Sequence, residues 1–247
     1  MIFLVDIGNT RIKWGNLIRD KVASSGIASY DVLDLSKLLD EHWHALSPPS
    51  RIMVSNVAGA QVANVLSTWT AKIWQIEPEF VAVQSKGFGV TNGYREHQRL
   101  GVDRWVALIG AWHRFKAPTC IIDCGTAITI DALSGRGEHL GGLIIPGLTM
   151  MQLALTERTH GISGKIKGSI SRLARDTHDG IASGCYYAVV AFINRIVADL
   201  ASDLGTGLRC IITGGSAEAL LPLLGNTFIY DRDLVLNGLA VIANSDQ

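Results

Sequence analysis

The sequence predicts an α/β protein built from two similar domains, and two observations support this fold class. Strand-like and helix-like segments alternate along the 247 residues, which is typical of layered α/β folds. A short pattern also occurs twice, namely an apolar strand, an Asp, any residue, a Gly and then a nearby hydroxyl residue. The Asp of the first copy is Asp6 and that of the second is Asp123. They lie close to half the chain apart, as expected for a duplicated domain. We therefore predict domains at 1–116 and 117–247.

In the first half, apolar runs bounded by turn residues predict strands, and apolar residues at helical spacing predict helices. Residues 2–5 and 11–15 form a predicted hairpin around the first Asp-x-Gly motif, and Asp31 is the expected N-cap of the next helix. Further strands are predicted at 51–57 and 80–84, and helices at 31–43, 61–69 and 105–115.

The second half repeats the alternation. Strands are predicted at 119–123, 127–131, 140–145 and 208–212, with Pro146 ending the third of these. The clearest helix of the chain is predicted at 181–204, because its apolar residues share one face and Gly205 follows it.

Composition excludes several classes of protein. Lys plus Arg and Asp plus Glu both number 22, so the basic excess of proteins that bind nucleic acid or anionic membranes is absent. The four cysteines form no CxxC pair, which favours reduced thiols in a cytoplasm. The N-terminal apolar run ends at Asp6, too short for a signal peptide, and no segment is expected to reach the ~18–20 apolar residues of a membrane span. We predict a cytoplasmic protein without membrane contact.

The repeated motif has the chemistry of a phosphate-binding hairpin. Glycine allows the backbone to approach a phosphate, and N–H groups and the hydroxyls of Thr10 or Thr126 can donate to its oxygens. Asp6 can reach a hydrated cation, and Lys13 can contact a phosphate as a point charge. One copy alone is equally well explained as an ordinary β-turn, but two copies favour phosphate binding. The Rossmann and P-loop fingerprints are absent.

Asp103 and Arg104 open a predicted apolar helix and have two interpretations. They are either a favourable charge at a helix N-terminus with an exposed Arg, or a general base beside an anion-binding guanidinium. Spacing alone slightly favours the first. The Thr213-Gly214-Gly215-Ser216 loop after a strand is a weak indication of nucleoside binding.

Three segments together resemble the signature motifs of type III pantothenate kinases, some of which were first described as Bvg accessory factors. The segments are Asp6-Ile7-Gly8-Asn9-Thr10, Gly101-Val102-Asp103-Arg104 and the stretch from Asp123 to Asp131. The resemblance covers almost the whole chain. It implies two ribonuclease H-like domains with the duplication of actin-like ATPases, and phosphorylation of pantothenate by ATP to 4′-phosphopantothenate, the first step of coenzyme A synthesis.

The resemblance also implies residue roles. Asp103 matches the base that takes the proton of the pantothenate hydroxyl, and Asp123 matches the ligand of a monovalent cation, K⁺ or NH₄⁺, in addition to the Mg²⁺ of ATP. The family is dimeric, with the substrate pocket at the subunit interface. The implied ATP contacts are Asp6, Ile7, Gly8, Asn9, Thr10, Arg11, Ile12, Lys13 and Thr126, and the implied substrate contacts are Tyr94, Gly101, Val102, Asp103, Arg104 and Thr177.

One position departs from the family pattern, which usually has a proline between the pocket tyrosine and the Gly-x-Asp-Arg segment. Here His97 stands there, so the shape of the loop that carries Tyr94 is open at this point. Two other functions also remain open. A nucleotide-binding regulator would not need Asp103, and a phosphatase would need a carboxylate, such as Asp123 or Asp131, to activate water.

Overall fold

The computed structural model describes residues 1–158, 166, 168–205, 207–225 and 227–245. By contacts the chain forms two compact units. The first unit comprises Met1–Lys116, Gly137–His139 and Asp233–Gln247, and the second comprises Ala117–Arg136 and Leu140–Arg232. The division of the chain into domains at residues 116 and 117 stays a prediction. The contacts group Asp233–Gln247 with the first unit because the C-terminal helix packs there.

The first unit is a five-stranded sheet with helices packed on it. Its strand order is β3-β2-β1-β4-β5, where β1 pairs antiparallel with β2 and parallel with β4. The elements are β1 (Ile2–Ile7), β2 (Arg11–Ile18), β3 (Lys21–Ser29), α1 (Leu35–Trp43), β4 (Arg51–Asn56), α2 (Ala60–Ile73), β5 (Glu79–Phe80), the short pair β6 (Lys86–Gly87) and β7 (Val90–Thr91), a 3₁₀ turn (His97–Arg99) and α3 (Val102–Phe115).

The second unit has a sheet of the same design. Its order is β10-β9-β8-β11-β12, in which β8 pairs antiparallel with β9 and parallel with β11. Numbered within each unit, both sheets therefore follow the order 3-2-1-4-5, which the repeated sequence motif anticipated. The elements are β8 (Thr119–Cys124), β9 (Ala127–Leu133), β10 (His139–Pro146), α4 (Leu148–Arg158), α5 (Thr177–Leu204), β11 (Arg209–Thr213), α6 (Ala217–Leu224) and β12 (Phe228–Tyr230), after which α7 (Leu234–Ser245) packs in the first unit.

Aromatic rings fill the core of the first unit under one face of its sheet. Trp43 stacks on Trp74 with centroids 5.8 Å apart, and Phe3 meets both rings edge-on. Close helix packing completes this unit, since a Cβ built on Gly238 of α7 would overlap the Val106 carbonyl of α3. Glycine is therefore required where the two helices cross.

All four cysteines lie in the core of the second unit as free thiols, consistent with the predicted reduced state. Cys120 and Cys210 are neighbours on the paired strands β8 and β11. Burial raises the pKa of Cys124 well above its usual range, which keeps this thiol protonated and unreactive. These side chains act as small apolar residues.

The helix α5 corrects the expectation that no segment is long and apolar enough to cross a membrane. It has 28 residues, and its most apolar 18-residue window has a mean hydropathy of 1.5. Core helices meet the same criterion. The face carrying Cys185, Val189 and Ile193 is buried in the core of the second unit, so its apolar composition serves packing there.

Several predicted elements differ from the structure. Asp31 does not cap α1, which begins after Asp34, because the Asp31 carboxylate accepts the Leu33 N–H in a tight turn instead. The predicted strand 80–84 shrinks to Glu79–Phe80. Strand β3 and helices α4, α6 and α7 were not predicted, and α7 in particular is apolar on most of its surface and shows no single stripe.

Candidate active site

The first hairpin presents a polar turn at the end of a buried strand. The side chains of Asn9, Thr10 and Arg11 are exposed, and the Gly8 N–H donates to the Arg11 carbonyl at 2.9 Å. Ile7 and Ile12 point into the core, so any contact they make with a nucleotide involves their backbone only. The turn thus offers N–H groups, a hydroxyl and a guanidinium to an anion.

Tyr30 fixes this turn from the side, a role that its sequence position did not indicate. Its hydroxyl donates to the Gly8 carbonyl at 2.7 Å, and its backbone N–H donates to the Thr10 carbonyl at 3.3 Å. Burial raises the pKa of the Tyr30 phenol above its ordinary value, because the phenolate would lose hydration. Tyr30 therefore remains a hydrogen-bond donor at neutral pH.

Lys13 lies opposite Asp6 on the paired strands of this hairpin. Its ammonium lies 3.5 Å from a carboxylate oxygen of Asp233, immediately before α7, and both side chains are largely shielded from solvent. The candidate phosphate contact is thus held by an acidic residue from the far end of the chain, which no local motif could reveal.

The second hairpin is built in the same way in the second unit. The Gly125 N–H donates to the Ala127 carbonyl at 3.0 Å, and Thr126 is exposed. Asp123, the residue before the last of β8, pairs with Thr213 of β11. The glycine loop after β11 packs directly on it. Gly214 has a φ of +92°, and a Cβ there would lie 2.6 Å from the Cys124 backbone, so only glycine fits. This loop is therefore part of the hairpin environment.

The N-terminus of α3 brings Asp103 and Arg104 to one place in the first unit. The Asp103 carboxylate accepts the Arg104 backbone N–H at 2.7 Å, and a Cβ on Gly101 would lie only 2.6 Å from the same carboxylate oxygen. Because Gly101 has no side chain, the Asp103 carboxylate can occupy this space. The positive end of the helix dipole also favours a charged carboxylate at this position.

Arg104 is buried, contrary to the simpler interpretation of an exposed Arg. Only 7% of it is accessible, and its Nη1 donates to the Tyr94 hydroxyl at 2.7 Å. The structure thus brings Tyr94, Asp103 and Arg104 together. Tyr94 is about ten residues away in the sequence, so this proximity could not be predicted from spacing alone. A guanidinium can bind a carboxylate through two parallel N–H donors.

Asn92 fixes the shape of the loop that carries Tyr94, in which His97 stands at the position of the usual proline. Its side-chain amide donates to the carbonyls of Gln84 and His97 at 3.3 Å each, and its carbonyl oxygen accepts the Tyr94 N–H at 3.0 Å. Three hydrogen bonds from one buried side chain fix the loop at both ends. Sequence reasoning missed Asn92, although Asn is a typical residue at turns of this kind.

An open groove of about 510 Å³ lies beside the start of α3 in the first unit. Gly101 and Val102 line it, whereas Tyr94 and Arg104 do not appear among its lining residues. The walls are mostly apolar, as suits a small ligand with an aliphatic part. The lining residues are Asn56, Val57, Val81, Ala82, Val83, Gln98, Leu100, Gly101 and Val102.

Thr177 is the first residue of α5 in the second unit. The preceding Asp176 caps the helix by accepting the Asp179 N–H at 3.0 Å, and this backbone hydrogen bond lowers the pKa of Asp176. The Thr177 side chain is exposed. Its hydroxyl therefore stands at a helix N-terminus, where polar ligands find unpaired backbone donors.

Among the described residues, no three His, Cys, Asp or Glu side chains converge to hold a metal ion. Asp123 would therefore hold a cation as a single carboxylate aided by carbonyl oxygens or the ligand. Asp131 is only 2% exposed within β9, and such burial does not suit a carboxylate that must activate solvent water for a phosphatase.

Comparison with known proteins assigns the family. The family model of type III pantothenate kinase matches residues 2–199. A type III pantothenate kinase of Nitrosococcus oceani is 43% identical, over 98% of this chain and 94% of that protein. This chain belongs to the type III pantothenate kinase family. Its members are kinases, a class of phosphotransferase.

Solved structures show which fold this chain has. A Baf family transcriptional activator from Campylobacter jejuni is 20% identical, with a TM-score of 0.61 over 99% of this chain and all of that one. An archaeal actin homologue is 9% identical, with a TM-score of 0.50 over 99% of both chains. These likenesses and the repeated sheet order confirm the predicted actin-like ATPase fold.

Proposed function

We propose that this chain transfers the γ-phosphoryl group of ATP to the primary hydroxyl of pantothenate, giving 4′-phosphopantothenate and ADP. Membership of the family over residues 2–199 carries this proposal. The arrangement of Asp103, Arg104 and Tyr94 around the start of α3 agrees with it. Coenzyme A synthesis is the pathway that uses this product.

The two hairpins bind the triphosphate in this proposal. The exposed turn from Gly8 to Arg11, with Asp6 and Lys13 on its strands, is a proposed phosphate contact, and so is Thr126 of the second hairpin. Mg²⁺ arrives with ATP and reduces the charge on the phosphates. Catalysis of phosphoryl transfer depends mainly on such positioning and charge stabilisation.

Asp103 takes the proton from the pantothenate hydroxyl as that oxygen bonds to the γ-phosphorus and the bond to the ADP oxygen breaks. Its place at a helix N-terminus supports an ionised, proton-accepting carboxylate. Arg104 binds the substrate carboxylate through its guanidinium, and Tyr94, Gly101, Val102 and Thr177 are the further proposed substrate contacts. The groove that Gly101 and Val102 line supports the assignment of these two residues.

Asp123 is the proposed ligand of K⁺ or NH₄⁺. One carboxylate with neutral oxygen donors suits a monovalent ion better than a transition metal, which prefers several His or Cys ligands. We further propose a cytoplasmic homodimer whose interface completes the substrate pocket. Exposed apolar side chains on β10 and α4 of the second unit support an interface, namely Leu140, Leu143, Ile144, Met150, Leu153 and Leu155.

ADP release from ATP tests the proposal, measured with and without pantothenate in potassium and in sodium buffer. We expect ADP only with pantothenate, and faster release with potassium. If the rate of ADP release is the same with and without pantothenate, pantothenate is not the substrate. If free phosphate forms without pantothenate, the protein is a phosphatase. Equal rates in both buffers would remove only the cation site.

A further inference from the structure

The segment Gly137–His139 belongs to the first unit, although in the sequence it follows β9 and includes the first residue of β10. It docks on the loop that carries Tyr94, because the Thr91 N–H donates to the Gly137 carbonyl at 2.9 Å. Gly137 has a φ of +78°, and a Cβ there would meet the Gly89 carbonyl and the Trp112 ring. The backbone of this segment is therefore fixed closely against the loop.

His139 ends this segment with its ring against Tyr94. It is only 3% exposed, and the two ring centroids are 5.7 Å apart with planes inclined by 18°. The Arg104 guanidinium carbon lies 5.5 Å from the centroid of the same tyrosine ring, whose hydroxyl accepts the Arg104 Nη1–H. Tyr94 thus contacts a buried imidazole and a buried guanidinium.

The orientation of Tyr94 depends on these contacts. The hydrogen bond from the Tyr94 N–H to Asn92 fixes its backbone but leaves the ring free to rotate about its side-chain bonds. Stacking on His139 restricts that rotation and so holds the hydroxyl at the Arg104 guanidinium. A ring that turned away would remove this acceptor and with it the contact that the tyrosine gives to the guanidinium.

We propose that His139 is a positioning residue, which holds Tyr94 and through it orients Arg104 to bind the carboxylate of the substrate. This inference rests on the proposed function, because it takes Arg104 as the carboxylate-binding group. His139 acts through Tyr94 and Arg104 and does not contact the reacting atoms. It should therefore determine recognition of the substrate carboxylate and leave the use of ATP unchanged.

Steady-state kinetics of His139→Ala and His139→Phe test this role with two acceptors, pantothenate and its analogue with CH₂OH in place of the carboxylate. Loss of a stacked pair predicts that His139→Ala lowers kcat/KM for pantothenate about tenfold, mainly through KM. For the alcohol analogue, kcat/KM should change less than about twofold in His139→Ala, since this acceptor has no charge for Arg104 to bind. His139→Phe keeps the stacking and should stay within about twofold of the wild type for both acceptors.

His42→Ala is the matched control, because His42 also packs its ring on an aromatic residue, Trp14 at 5.2 Å, but on α1. It should leave the preference for pantothenate over the alcohol unchanged. If His139→Ala lowers kcat/KM equally for both acceptors, or raises KM for ATP, His139 has a general structural role and the inference is overturned.

A crystal structure of His139→Ala separates this inference from the proposed function. We expect the distance from the Tyr94 hydroxyl to Arg104 Nη1 to exceed its present 2.7 Å. An unchanged distance overturns the positioning role whatever the enzyme phosphorylates. A changed distance together with a wild type that phosphorylates neither acceptor supports the positioning role and refutes only the substrate.

Discussion

The Lys13 ammonium lies 3.5 Å from a carboxylate oxygen of Asp233, which connects the first hairpin to the start of the C-terminal helix. The pair is partly shielded from solvent, so it is screened less than a surface ion pair. Its effect is to hold a cation at the strand position facing Asp6, where we propose that phosphates bind.

Asp233→Asn should raise KM for ATP about fivefold and leave KM for pantothenate unchanged. The physical reason is the loss of an ion pair worth about 1 kcal/mol that orders Lys13. Glu41→Gln, which breaks the exposed Lys37–Glu41 pair on α1, is the control and should change neither constant. A lower KM for ATP in Asp233→Asn would mean that Asp233 repels phosphate more than it orders Lys13.

Asp103→Asn should lower kcat about 10²-fold or more, because loss of a general base typically costs this much. Asn keeps the size of the side chain and can still accept the Arg104 N–H, so ATP affinity should stay within about twofold. Single-turnover ADP formation and nucleotide titration check the two expectations. Near-normal turnover would remove Asp103 from the mechanism.

Gly238→Ala should destabilise the protein by about 1–3 kcal/mol, the usual cost of forcing an atom into a packed core. The added methyl group would overlap the Val106 carbonyl where α7 crosses α3. Gly184→Ala in α5 is the matched control, since a methyl group added there would have no atom within 4 Å. That substitution should stabilise by up to about 1 kcal/mol through helix propensity, as urea unfolding would measure.

Tyr30 predicts a pH dependence of stability. Because burial raises its pKa in the folded state, the unfolded chain loses the phenolic proton first as pH rises. The stability that Tyr30 contributes is therefore complete below about pH 10 and declines above it. Tyr30→Phe should cost about 1 kcal/mol at pH 7 by removing the hydrogen bond to Gly8, and should weaken the decline above pH 10.

Urea unfolding at pH 7, 9 and 10.5 measures this difference. Tyr187→Phe on α5 is the control, because Tyr187 is 40% exposed and its removal should change neither value. An unaltered pH dependence in Tyr30→Phe would show that another group causes the decline.

Local patterns in the sequence predicted both hairpins, because a strand followed by Asp, Gly and a hydroxyl residue is complete within ten residues. Helix α5 was predicted from one apolar face, and the structure extends it only from residue 181 back to Thr177, after the Asp176 cap. These elements have signals that do not depend on the rest of the fold.

The groups that support the site lacked such signals. Asp233, His139 and Tyr30 act through contacts with residues far away in the sequence, and only folding brings the partners together. Helix α7 was missed for a related reason. It is covered on most sides, so it has no polar face to set the helical period.

In both sheets the strand that leads into the hairpin, β1 or β8, is the third of five and is hydrogen-bonded on both edges. Such a strand can move only if two ladders open together, so its amide hydrogens should exchange with solvent only when the whole unit unfolds. Each turn that we propose to bind phosphate is therefore attached to the least mobile backbone of its unit. In the proposed ATP site the geometry of each turn is therefore in place before the nucleotide arrives, so that little ordering entropy of the turn is lost on binding.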